Sequence, residues 1–332
     1  MNDTNTTTST MFGDPFDDKA LADTMNVSYE LFKFYNIYNF IVDAVFVLPT
    51  VLGNILILAA LWRFPGLRKS ISCILIGNLA VSDLLVGVFV LPMDMLIRLR
   101  REWFDHIDMC LLFFSLVYSM VGTSVLNLFL LSLERFHAII YPLKHRLVFT
   151  KGRIYIAIVV LWLCTFAVGF LPVFGWHHHP DDDTFICGAV PLLPHTYTRV
   201  INSVIVLSLT INTVFFFMIA RVAMQAAKSF SDLSITKEEH EKTKKNIHHT
   251  KMMLIVSGLF IVFWGPFCIV SLVPESTPTL SFVKMWLSCI GLINSALNWI
   301  VYGCRSKKFR FAFKALLLCK CHQRKVEISS IT

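Results

Sequence analysis

Seven apolar stretches, each with the roughly 20 residues a bilayer core requires, recur along the chain at 36–62, 70–98, 107–140, 153–176, 199–226, 250–273 and 281–303. Short polar breaks separate them. Inside lipid every backbone amide must be satisfied within its own segment, so the pattern predicts seven transmembrane helices and an all-α fold. Beyond the last stretch, Phe309, Phe313 and Leu316 share one face at helical spacing, with Lys307, Lys308, Arg310 and Lys314 around them. This spacing predicts a short amphipathic eighth helix lying on the inner leaflet. The chain thus divides into an arm over 1–35, the helical bundle over 36–303, and the amphipathic helix with its tail over 304–332.

Composition agrees and charge adds orientation. With 55% hydrophobic and 16% charged residues and a mean hydropathy of +0.64, the chain is too apolar for a water-solvated domain. Lys and Arg beside a span stay on the cytoplasmic side. They gather at Arg63, Arg68 and Lys69, at Lys144, Arg146, Lys151 and Arg153, at Lys242, Lys244, Lys245 and Lys251, and at Arg305, Lys307, Lys308 and Arg310. The alternate connections are acidic, with Asp14, Asp17, Asp18 and Asp23 before the first span and Asp181, Asp182 and Asp183 before the fifth. Arg98, Arg100 and Arg101 break the pattern and are expected to snorkel toward the outer headgroups. The expected topology is a multi-pass plasma-membrane protein with its amino terminus outside. Three sequons, at Asn2, Asn5 and Asn26, fit a glycosylated extracellular arm. The arm lacks the basic start and apolar core of a signal peptide, so the first span is expected to direct insertion.

Of nine cysteines, Cys73, Cys164, Cys268 and Cys289 read as small buried hydrophobes within spans. Cys110, at the outer start of the third span, and Cys187, in the outer connection before the fifth, face an oxidising compartment and are expected to form a disulfide. Cys319 and Cys321 follow the basic amphipathic stretch, a setting for palmitoylation; two free cytosolic thiols are the alternative.

Polar residues in lipid are costly and mark a functional interior. Asp83 lies mid-span, and Asn54, Ser124, Asn294, Ser295 and Asn298 reach similar depth, with Trp264 above them. Such a set of oxygens suits a small hard cation; a polar cluster that only joins helices is the alternative. Glu134-Arg135-Phe136 closes the third span. Arg135 can pair with Glu134 in one conformation and turn to a bound protein in another, or it can simply snorkel at the interface. Pro266 breaks the hydrogen-bond ladder of the sixth span and supplies a hinge, and Pro92 and Pro172 are expected to bend the second and fourth.

In order along the chain, Gly53-Asn54, Leu79-Ala80-Val81-Ser82-Asp83, Cys110, Glu134-Arg135-Phe136, Trp162, Phe263-Trp264-Gly265-Pro266 and Asn298-Trp299-Ile300-Val301-Tyr302 resemble the motifs of the rhodopsin-like, class A G-protein-coupled receptors. The resemblance covers all seven spans. It implies activation of a heterotrimeric G protein by an extracellular small molecule, through Glu134, Arg135, Phe136, Pro266 and Tyr302. It also implies sodium as an allosteric ion held by Asn54, Asp83, Ser124, Asn294 and Asn298. This chain departs from the pattern in having Phe136 for tyrosine, Trp299 for the seventh-helix proline, no proline between 199 and 227, and Asn246 where an acidic partner of Arg135 is usual. The missing partner implies a loosened resting state with basal signalling.

The resemblance also bears on the ligand. A pocket is expected from Asp94, Val117, Tyr118, Val121, Trp264 and Ser271. Monoamine receptors carry an acid where Val117 stands, and no acid lies between Cys110 and Leu133, so a monoamine lacks its counter-ion here. Retinal is excluded by Leu292 in place of lysine. The run from Gly169 to Trp176 is similar to adenosine receptors, yet Gly188-Ala189-Val190 and Ser271 replace their nucleoside contacts. Glu102, His106 and the His177-His178-His179 run lie near the expected mouth; beside Asp181 to Asp183 the histidines can bind zinc or titrate, or stay solvated and inert.

Other seven-helix classes fit less well. No internal repeat suggests a transporter, no cluster of histidines and carboxylates within spans suggests an intramembrane hydrolase, and nothing points to nucleic acid. A non-coupling scaffold or heteromer partner is the alternative that Phe136 and Trp299 leave open.

Overall fold

The computed structural model describes residues 19, 22–23, 27–99, 106–178, 187, 192–232, 237–271, 273 and 278–318. Asn2, Asn5, Asn26, Cys319, Cys321, Arg100, Arg101, Glu102, His179 and Asp181 to Asp183 lie outside them, as does the side chain of Asn246. Seven helices are long and apolar enough to cross a membrane: Tyr29–Arg63, Ile71–Leu99, Ile107–Ile140, Lys151–Gly169, His195–Val222, Leu254–Ser271 and Thr279–Arg305. They are called the first to the seventh helix below. No strand occurs among the described residues, and the chain is a multi-pass membrane protein. Large apolar side chains such as Leu48, Leu52, Ile156, Leu163, Val262 and Ile269 face outward, as lipid rather than water requires.

Helix limits follow local chemistry. The first helix begins at Tyr29, earlier than the apolar run, because the Ser28 side chain caps it by accepting from the Leu31 amide. The fourth ends at Gly169, short of the expected 176. Pro172 therefore lies in the turns beyond that helix and does not bend it, and Gly175 closes the segment at a φ of 108°, a conformation that favours glycine. In the second helix, residues Val86–Val90 form a π turn immediately before Leu91 and Pro92. The sixth helix belongs to a longer one, Lys237–Ser271, with Pro266 inside it.

Polar pairs tie the bundle together. Asn78 donates to Asn127 Oδ1 (2.8 Å) and accepts from the Trp162 indole (2.8 Å), which links the second, third and fourth helices. The Thr123 and Thr165 hydroxyls meet at 2.9 Å. The expected eighth helix is Lys307–Leu317, capped by Ser306, with Phe309 and Phe313 buried and the Tyr302 ring packed at a tilt against Phe309. At the other end of the bundle Cys110 is bonded to Cys187, pinning the long connection to the start of the third helix. The bond closes a loop with a sequence separation of 77. Loop-closure entropy puts the cost of Cys110→Ser at about 4–5 kcal/mol, and surface density and melting temperature should both fall; an unchanged melt would contradict this.

Candidate functional site

The functional residues fall at three depths. Nearest the disulfide end is a cavity of about 160 Å³ lined by residues of the third, fifth, sixth and seventh helices. Val117, Tyr118, Val121 and Trp264 line it as the sequence suggests; Asp94 and Ser271 are not in its lining. Phe267 meets Trp264 edge to face at 5.8 Å, so aromatic rings form one wall. Besides Tyr118, the polar lining consists of His195, Thr198, Asn202, Ser281, Lys284 and Ser288, none of which was named from sequence. Lys284 stands near the start of a span, where a charge is ordinarily assigned to the interface; only the packing of the seventh helix against its neighbours turns it into the cavity.

Asp94 is engaged elsewhere. Its carboxylate pairs with Arg98 one turn on at 2.5 Å, with both side chains largely buried. Arg98 also donates to the Asp94 carbonyl (2.8 Å) and to the Tyr35 hydroxyl (3.4 Å). Tyr35 in turn lies 3.4 Å from Cys289 Sγ, and the buried Asp43 carboxyl stands beside that of Asp94. The expectation that Arg98 snorkels to headgroups is therefore corrected: a carboxylate four residues away, on the same helical face, holds it inside. That spacing was readable in the sequence. Cys289, expected as a plain hydrophobe, takes part in the same network.

At mid-depth, Asn298 Nδ2 donates to Asp83 Oδ2 at 2.8 Å. The Ser124 hydroxyl pairs with that of Ser82 at 3.2 Å. Asn54 donates to the carbonyls of Thr50 (2.8 Å) and Ser295 (3.3 Å). Asn54 Oδ1, Asp83 Oδ1, Asn294 Oδ1 and Asn298 Oδ1 are buried with no hydrogen-bond partner among the described residues. Buried oxygens in this state call for a donor or a cation, and an Asp with three amide carbonyls is a hard-ligand set that suits a small cation. Next to this cluster stands Trp299, whose indole lies directly over Gly53, where a Cβ would occupy the same space.

At the far end Glu134 is buried and accepts from Arg135 Nε (2.7 Å) and Nη2 (3.2 Å), from Ser72 (3.0 Å) and from His145 Nε2 (3.1 Å). His145 comes from a short helix, Pro142–Val148, that follows the third. It and Ser72 were missed because neither stands near Glu134 in sequence. Phe136 stacks on Phe215 of the fifth helix, 5.3 Å apart. A ring without a hydroxyl suits that apolar stack. Pro266 follows Trp264 by two residues, and Tyr302 is buried with its hydroxyl unpaired among the described residues.

A seven-helix bundle with a cavity at one end and a buried Glu-Arg pair at the other is the architecture of a membrane receptor. The profile of the seven-transmembrane receptors of the rhodopsin family matches residues 53–302, and the chain belongs to that family. It is similar to the histamine H2 receptor of Cavia porcellus, 29% identical over 301 residues that cover 87% of this chain and 82% of that one. The histamine H2 receptor of Homo sapiens is 27% identical over 88% of this chain and 82% of its own. The alpha-1A adrenergic receptor of Oryzias latipes is 25% identical over 83% and 66%.

Proposed function

We propose that this receptor works at the plasma membrane with its amino terminus outside, binds an extracellular small molecule in the cavity, and activates a heterotrimeric G protein through movement of the sixth helix. One observation carries the reading: Trp264, in the cavity wall, lies two residues before Pro266 on the same helix. A ligand that moves the indole thus bears on the hinge itself. At the other end Arg135 leaves Glu134 to meet the G protein, while Ser72 and His145 remain to satisfy the carboxylate. The alternating charge of the connections supports the orientation, and glycosylation at Asn2, Asn5 and Asn26 and palmitoylation at Cys319 and Cys321 accord with it. The unpartnered oxygens around Asp83 support sodium as an allosteric ion held by Asn54, Asp83, Ser124, Asn294 and Asn298, which stabilises the resting arrangement.

Basal G-protein activation, measured in cells at matched surface density, should fall to the level of mock-transfected cells in Arg135→Ala. In Asp83→Asn the melting temperature of the purified receptor should cease to rise with sodium relative to potassium. Silence of the intact chain across every G-protein class would favour the scaffold reading, which the Trp299 wedge against Gly53 supports by filling the space between the first and seventh helices.

A further inference from the structure

Two carboxylates and one guanidinium lie together between the first and second helices, so the group is one positive charge short. Asp43 on the first helix is 5% exposed, and Asp94 and Arg98 on the second are each 8% exposed. Among the described residues, the charged side chains that act on Asp43 are those of Asp94 and Arg98. Asp94 and Arg98 neutralise each other. The Tyr35 hydroxyl and the Cys289 thiol complete the titratable groups around them; both accept from Arg98 Nη2 and bring no positive charge. All five residues lie within membrane-spanning helices, where an unbalanced carboxylate is costly.

The hydrogen bonds are short of a donor in the same place. Asp43 Oδ2 and Asp94 Oδ2 are buried with no hydrogen-bond partner among the described residues, although the two carboxyls stand side by side. Arg98 does not reach these oxygens. Its Nη1 serves Asp94 Oδ1 and the Asp94 carbonyl, its Nη2 serves Tyr35 and Cys289, and its Nε is itself unpartnered. Asn39 is an independent sign of the same deficit. It lies one helical turn from both Tyr35 and Asp43, and so shares the face that meets Arg98 and Asp94. Asn39 is only 1% exposed. Its Nδ2 is engaged with the Tyr35 carbonyl oxygen at 2.8 Å, which leaves Oδ1 buried and unpartnered. Three buried oxygens on these facing helix surfaces therefore lack a donor.

One proton corrects both deficits. Adjacent buried carboxylates do not both ionise and keep a proton between them. Placed on Asp43, it removes the surplus charge and turns an acceptor into a donor, which Asp94 Oδ2 or Asn39 Oδ1 then accepts. A metal ion would need several further ligands, and among the described residues no group of three or more His, Cys, Asp or Glu could hold one. We propose that Asp43 and Asp94 bind a single proton between the first and second helices, carried by Asp43 at neutral pH, and that this proton joins the two helices in the disulfide half of the bundle. The site goes beyond the signalling reading and does not depend on it.

An aspartate in the unfolded chain gives up its proton above about pH 4, whereas the native pair keeps it. The native state then binds more protons, and stability falls as pH rises, by up to about tenfold in the unfolding equilibrium per pH unit. Thermal melting of the purified full chain in lipid nanodiscs, at fixed sodium from about pH 5 to about pH 8, is compared with that of Asp43→Asn. Asparagine is neutral and still donates to Asp94, so the wild-type melting temperature should fall more steeply with pH than that of the variant; the histidines and Asp83 titrate in both chains and cancel. Infrared spectra of the chain isotope-labelled at its aspartate carboxyls should show, at neutral pH, a carboxylic-acid carbonyl band that disappears in Asp43→Asn. Asp94→Asn should remove the band too, because Asp43 then pairs with Arg98 as a carboxylate. Should Asp43→Asn fail to fold, Asp94→Asn carries the infrared comparison. Parallel pH curves for wild type and Asp43→Asn, or no carboxylic-acid band that responds to either substitution, overturn the proposal. Stabilisation by sodium or potassium over N-methylglucamine that Asp43→Asn abolishes would overturn it as well, since a metal ion would then fill the site.

Discussion

Asp94→Leu should cost about 3 kcal/mol of stability, the lower end of what breaking a buried ion pair removes, and surface density should drop accordingly. The guanidinium of Arg98 cannot shed its proton, so the substitution leaves a permanent charge inside the bundle. Asp43, whose carboxyl stands beside that of Asp94, is left as the nearby acid that can balance part of the charge, which sets the loss at that lower end. The double variant Asp94→Leu with Arg98→Met removes both charges and should recover most of the stability, since paired charges and well-packed apolar groups of similar volume are often equivalent. Flow cytometry of an amino-terminally tagged receptor, with melting of the purified protein, measures all three. A double variant no better than the single one would mean that the network stabilises by its hydrogen bonds to Tyr35 and Cys289 rather than by charge balance.

A second large effect is expected where the seventh helix lacks the proline usual in its family. A Cβ added at Gly53 would fall on the indole of Trp299. Gly53→Ala should therefore destabilise by about 1–3 kcal/mol through overpacking, despite alanine being the better helix former. Adding Trp299→Ala to it should return the melting temperature to that of Trp299→Ala alone or above, a non-additive pair diagnostic of direct contact. Simple addition of the two losses would show that the helices shift apart to accommodate the methyl group and that the contact is not specific.

The helices were legible because lipid imposes a length and a composition that no tertiary context can override. Their ends were less so: Ser28 and Gly169 mark caps that a hydropathy window cannot resolve. Of the site, residues that break the lipid rule stood out directly, as with Asp83 and Arg135. The pairing of Cys110 with Cys187 was legible from compartment alone. What stayed hidden was meaning that depends on which helix is the neighbour. Lys284 and Asn202 are an ordinary boundary lysine and an ordinary polar residue until the fifth, sixth and seventh helices close around one space. His145 is one of many basic residues in a cytoplasmic connection until the short helix after Tyr141 folds it back onto Glu134. Arg98 was hidden for a different reason, because its position near a span end suggested headgroups while its partner sat in plain view four residues earlier.

The π turn at Val86–Val90 sets the bearing of everything that follows it. Asp83 and Asp94 are eleven positions apart in the chain, close to three full turns of a regular α-helix at 3.6 residues per turn, and would point the same way. The wider turn lags the helix by roughly a quarter revolution, so Asp83 meets Asn298 while Asp94 swings toward Tyr35 and Asp43 on the first helix. Against a protein whose second helix lacks that turn, roles carried over by position are true as far as Leu85 and one residue out of phase from Leu91 onward.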